Sequence, residues 1–114
     1  MKDDTVYLRH ILECIRRIEE NSGGGYRSFK ASHTHQDAIL RNLQTLAEST
    51  QRLAEEMKEK HPAVPWKSIA AFRNILVHNY LGVDLERIWR IVQEDVPQLK
   101  EIINRMLKDM EEGH

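Results

Sequence analysis

Arg73, His78 and Tyr80 fall within eight residues of the stretch AFRNILVHNY, Ala71 to Tyr80. Side chains of these types can hold an anion, exchange a proton near neutral pH and offer a hydroxyl. They sit in an otherwise apolar segment. A buried guanidinium is costly unless it is paired, so Arg73 needs either an acid partner or a ligand. At about 100° per helical residue, Tyr80 lies about 20° behind Arg73, while His78 lies about 140° away and Asn74 about 100° away. Lys67, Asn74 and His78 therefore form a polar strip, and Ile69, Phe72 and Leu76 cover another arc. A helix apolar over so much of its girth is expected to be covered on more than one side. Arg73 and His78 diverge on an ideal helix. They converge if the helix end unwinds near Gly82, or if a symmetric dimer brings the same helix in twice. Plainer roles stand beside these. Arg73 can pair with Asp37 or Glu48 on the preceding helix, His78 can face a helix C-terminal dipole, and Tyr80 can pack with its hydroxyl bonded.

The elements that must position these residues all read at helical spacing, and no strand pattern appears. A first helix is expected from about Asp4 to Asn21, with Asp3 and Asp4 suiting its N-terminal end. Gly23 to Gly25 then form a flexible turn; they lack the Lys-Ser/Thr ending and the preceding strand of a phosphate-binding loop. A second helix runs from about Thr34 to Lys60 and is stopped by HPAVPW, since Pro62 and Pro65 cannot continue it. A third runs from Trp66 to about Tyr80, with Gly82 as its stop. A fourth starts near Asp84, an N-cap candidate, and Pro97 marks a break or a kink before a last helix. The terminal EEGH reads as a frayed tail. The sum is all-α: a single domain, 1–114, folded as an up-and-down helical bundle of four to five helices.

Composition bounds the function. The 114 residues are 31% charged and carry a net charge of −1, so no global basic field attracts nucleic acid. Any such contact must come from a local patch, and Arg16, Arg17, Arg27 and Lys30 around the glycine turn are the densest. The single cysteine, Cys14, excludes an intramolecular disulfide and reads as a small buried hydrophobe. His33 and His35, with Asp37 close by, have the residue types of a metal site, but a polar helix entry capped by Ser32 or Thr34 is the better reading. His10 and His61 read as surface or helix-end residues. No segment suits a signal peptide or a bilayer span, and a cytoplasmic location is expected.

RNILVHNY has the form R-x4-H-x-Y, and in this the chain resembles the HEPN superfamily. Its surroundings resemble the HepT-like branch, the toxin half of HEPN–MNT toxin–antitoxin pairs. DAILRNLQTLAES resembles that family's second helix, with Ala47-Glu48-Ser49 where Gly-Glu-Ala is common. VPWKSIAAFRNILVHNYLGVDLERIW resembles its third helix and the turn after it, and VPQLKEII its last helix. The resemblance implies a homodimer with a composite cleft between protomers. It implies a metal-independent endoribonuclease toxin that acts on cellular RNA and uses no cofactor. It also implies a partner, a minimal nucleotidyltransferase antitoxin that neutralises by binding or by transferring AMP to Tyr80. On that reading Arg73 clamps phosphate, His78 is the general acid/base, and Asn74 and Tyr80 position the substrate. The alternative is a non-catalytic dimeric docking partner of a nucleotidyltransferase.

Overall fold

Residues 3–113 are described by a computed structural model, and every regular element among them is helical. The first, α1 (Asp4–Ser22), begins where the Asp3 carboxylate accepts the Thr5 N–H at 3.0 Å. Its Leu8, Ile11, Ile15 and Ile18 recur at helical spacing and are all fully buried. They meet Ile39, Leu43 and Leu46 of α3 (His33–Gln51). Each such aliphatic chain contributes roughly 1.5–3 kcal/mol when fully buried. Cys14 lies in the same face, 2% exposed, and burial pushes its thiol up.

Between α1 and α3 the chain turns at Gly25, whose φ of +87° suits glycine. It then forms α2 (Gly25–Ala31), where the sequence reading has only a flexible turn. Seven residues are too few to display a period. Aromatic packing holds α2 instead: Phe29 is fully buried, with its ring centroid 5.3 Å from that of Trp89, and Tyr26 lies 5.8 Å from the same ring. Ser32 caps α3 by accepting the His35 N–H, as expected for a polar helix entry.

The expected second helix stops early, at Gln51. No proline or glycine marks the stop. Leu53 turns inward to 3% exposure, and the Asp4 carboxylate accepts the Ala54 N–H at 3.2 Å. A short α4 (Glu55–Glu59) follows. The next long helix, α5 (Trp66–His78), is anchored at its start by the Trp66 indole, which donates to the carbonyls of Lys58 and His61. It ends at His78 rather than Tyr80. Asn79 leaves helical geometry, and Tyr80–Gly82 form a 3-10 turn. Gly82 closes that turn rather than the helix: a Cβ there would lie 2.5 Å from the Asn79 side-chain oxygen.

Asp84 caps α6 (Leu85–Arg90) by accepting the Glu86 N–H at 3.0 Å. The chain then widens into a π turn, Ile91–Asp95, and continues into α7 (Val96–Gly113). Pro97 therefore marks a local distortion within one long rod, not a break. Its ring has no N–H to donate and clashes with the preceding turn, and the π turn carries the Val96 N–H to the Ile91 carbonyl. The expected frayed tail is helical through Gly113, and Glu111 pairs with Arg9; His114 lies outside the described residues. Four helical rods result: α1, α3, α5 and the α6–α7 rod. α3 packs against α1 and α5, and α7 packs against α1. No helix among the described residues is long and apolar enough to cross a membrane.

Candidate functional site

The antiparallel packing of α5 on α3 sets the site. Arg73 projects toward α3, where Glu48 Oε2 accepts from its Nε at 3.3 Å and its Nη2 at 3.2 Å. Gln44 donates to the same oxygen at 3.4 Å, and Arg73 Nη1 donates to Asn74 Oδ1 at 3.2 Å. Two turns further on, the Tyr80 hydroxyl donates to Asp37 Oδ1 at 2.7 Å. The two acids that sequence left open for Arg73 are thus divided: Glu48 takes the guanidinium and Asp37 takes the phenol. Accepting that hydrogen bond, Asp37 pushes the Tyr80 phenol above its ordinary value; partial burial and the Asp37 charge act in the same direction.

His78 is exposed and makes no hydrogen bond or ion pair among the described residues. The structure does not tie it to Arg73, from which the helical angles separate it, nor to Tyr80, nor to Asn74, which shares its polar strip. The ring is left free to meet a ligand. Around it the surface is apolar: Ile75 is 41% exposed, Val77 39% and Leu81 97%. Leu76 alone on α5 is buried. The second apolar side of this helix, expected to be covered, is open in the single chain.

Sequence missed two features. Asp37 reads there as one possible partner of Arg73, yet it holds Tyr80. His10 is exposed, as a surface reading expects, and the unforeseen part is its contact: Nδ1 lies 2.6 Å from the hydroxyl of buried Ser49. Helical spacing signals neither, because both contacts cross between helices. The basic cluster near the glycine turn is weaker than its composition suggests. Arg16 and Arg17 are bound to Glu13, whose carboxyl they hold down to about 2, and Arg16 also pairs with Glu20. Lys30 sits over the Tyr26 ring. His33, His35 and Asp37 form no metal cluster: no group of three or more potential ligands occurs among the described residues.

Side chains of these types can hold an anion and exchange a proton. A guanidinium held in place by an acid faces the surface beside an amide, and a free imidazole and a phenol lie within the next two turns. Residues 11–106 match the family described as "Ribonuclease HepT-like". The chain is 38% identical over 113 residues to the Methanocaldococcus jannaschii protein named "Gamma-glutamylcyclotransferase and putative RNase MJ0434", covering 98% of this chain and 51% of that one. The chain therefore spans about half the length of that relative. It is 34% identical to the "Probable ribonuclease HepT" of Thermococcus cleftensis, with 90% of this chain and 94% of that one covered. It is 25% identical to the "mRNA nuclease HepT" of Shewanella oneidensis, over 82% of this chain and 88% of that one. No solved structure matches the chain. The family match over residues 11–106 and these relatives show that the chain belongs to the HepT-like ribonuclease family.

Proposed function

We propose that the chain is a metal-independent endoribonuclease, the toxin of a type II toxin–antitoxin pair, working as a homodimer on single-stranded cellular RNA. The observation that carries this reading is that one helix bears both a guanidinium held by an acid and an exposed histidine with no hydrogen bond or ion pair among the described residues. The 2′-hydroxyl of RNA attacks the adjacent phosphorus and the 5′-oxygen leaves, giving a 2′,3′-cyclic phosphate and a 5′-hydroxyl. Arg73, held by Glu48, neutralises charge that develops on the phosphoryl oxygens. His78 removes or supplies a proton. Two protons move in the step, from the 2′-hydroxyl and to the 5′-oxygen, and each chain brings one His78. A second copy seated on Ile75, Val77 and Leu81 supplies another and covers the open side of α5. Asn74 and Tyr80 position the phosphate and ribose.

Neutralisation falls to a minimal nucleotidyltransferase partner. Tyr80 is its acceptor: the phenolic oxygen attacks the α-phosphorus of ATP, pyrophosphate leaves, and an AMP diester remains on the ring. That adds bulk and negative charge where RNA must bind. Tyr80 suits the role because it is 39% exposed.

A second reading has its own support. Leu81 stands 97% exposed next to the motif, and a net charge of −1 gives RNA little long-range attraction. Both suit a bundle that docks a nucleotidyltransferase without cutting RNA. Cleavage of total cellular RNA in EDTA by unmodified protein, beside His78→Ala, separates the readings. Cleavage by the unsubstituted chain alone supports the nuclease. Cleavage by neither favours the docking bundle, and equal cleavage by both removes His78 from the chemistry.

A further inference from the structure

Arg73 lines a cavity of about 600 Å³ that opens between α1, the C-terminal end of α3 and α5. Its size falls within the range of roughly 300–1,000 Å³ usual for small-molecule sites. Three kinds of wall meet there. Val6 and Tyr7 of α1 give an apolar and aromatic side, Val6 being 57% exposed. Arg52 and Arg73 give a cationic side, and Glu48 is the one carboxylate among the lining residues. Two guanidinium groups against one carboxylate leave the recess positive in a chain whose net charge is −1. Glu48 already pairs with Arg73, while the Arg52 side chain is exposed and has no acid partner among the described residues.

The third wall is His10 with Ser49. Ser49 is 6% exposed, and its hydroxyl lies 2.6 Å from His10 Nδ1. Its neighbour Thr50 satisfies its own hydroxyl locally, on the Ala47 carbonyl at 2.7 Å. Ser49 instead reaches across to an exposed imidazole on another helix. The other ring nitrogen, Nε2, lies 3.8 Å from Cys14 Sγ, so the imidazole is held at both nitrogens.

We propose that this recess is a nucleotide subsite for single-stranded RNA. It takes the nucleotide next to the phosphate held by Arg73. Arg52 meets the following phosphate, the Tyr7 ring packs against the base, and the exposed His10 ring, held at one nitrogen by Ser49 and at the other by Cys14, packs against the nucleotide. Cationic groups tracking the backbone beside an aromatic platform are what single-stranded RNA requires. The assignment rests on the ribonuclease reading for the scissile phosphate. Arg52, His10 and Tyr7 are binding and positioning residues; the chemistry stays with Arg73 and His78.

The test uses Arg52→Ala and His10→Ala, both at exposed positions, with Lys108→Ala on α7 as a control for lost charge. With a short single-stranded RNA, each subsite variant should raise KM by about tenfold and leave kcat within about twofold, while Lys108→Ala changes neither. Ser49→Ala should reproduce part of the His10 effect and add nothing to His10→Ala. The same variants are titrated by fluorescence anisotropy with an uncleavable 2′-O-methyl oligonucleotide. If the unsubstituted chain cuts no RNA, the ribonuclease reading fails and the anisotropy decides the subsite alone. Wild-type affinity in both Arg52→Ala and His10→Ala overturns it, as does an equal loss in Lys108→Ala.

Discussion

Glu48 and Arg73, 25 residues apart in sequence, meet through one carboxylate oxygen that accepts from two guanidinium nitrogens. The pair is about one-third exposed on each side, at 34% and 30%. A pair in that setting contributes little to stability, about 0–1 kcal/mol, because water screens it and both side chains lose freedom. Its value lies in aim. The contact fixes which edge of the guanidinium faces α3 and which faces outward.

Glu48→Ala should therefore cut RNA about tenfold more slowly, through misplacement of Arg73, while unfolding free energy changes by no more than about 1 kcal/mol. Single-turnover cleavage and urea melts measure the two quantities. A large loss of stability with unchanged cleavage would make Glu48 a structural residue only.

The Tyr80–Asp37 hydrogen bond predicts a late phenol titration. The phenol donates a hydrogen bond to Asp37 that the phenolate cannot make, so the folded state favours the neutral phenol. The stabilisation is complete below the ordinary phenol range near about pH 10 and is lost as pH rises through the higher folded-state value. Ultraviolet phenolate absorbance, with Tyr80→Phe subtracted, should show Tyr80 ionising above that range. Asp37→Asn should move it back down.

Leu81 offers the sharpest handle on self-association. Leu81→Asp should turn a homodimer into a monomer in sedimentation velocity, with helicity and melting temperature unchanged, because Leu81 is 97% exposed in the single chain. If the unsubstituted protein is already monomeric at micromolar concentration, the dimer is wrong.

Phe29 should report on the fold rather than on the site. Phe29→Ala removes a fully buried ring stacked near Trp89 and should cost about 3–5 kcal/mol, read from urea unfolding. Tyr26 on Trp89 and the Gln36 amide, which donates to the Phe29 and Lys30 carbonyls, are the remaining ties on α2. Its amides should lose hydrogen-exchange protection before those of α3.

The long rods were legible because their apolar residues repeat at helical spacing, as Leu8, Ile11, Ile15 and Ile18 do on α1. The early stop of α3 was not, because a contact that holds the chain just beyond it comes from another helix, where the Asp4 carboxylate accepts the Ala54 N–H. α2 escaped notice for a similar reason: its stability comes from Trp89, far along the chain. The motif on α5 was legible as residue types and angles. The division of acids between Arg73 and Tyr80 was not, since it depends on how far α3 slides along α5. The same holds for His10. A histidine on a helix surface carries no sign of the serine it will meet until the packing of α1 on α3 is known.

The 2.7 Å contact between Tyr80 and Asp37 also limits what can be attached there. An ester on the phenolic oxygen abolishes its only proton, and a phosphodiester adds an anion where a carboxylate already stands. The two cannot share that distance, so the latch between the 3-10 turn and α3 must open whenever the ester forms. Modification would then act as a wedge, displacing the segment that follows His78. Only hydrolysis of the ester would let the latch close again, so the geometry of the turn would itself record whether Tyr80 carries the ester.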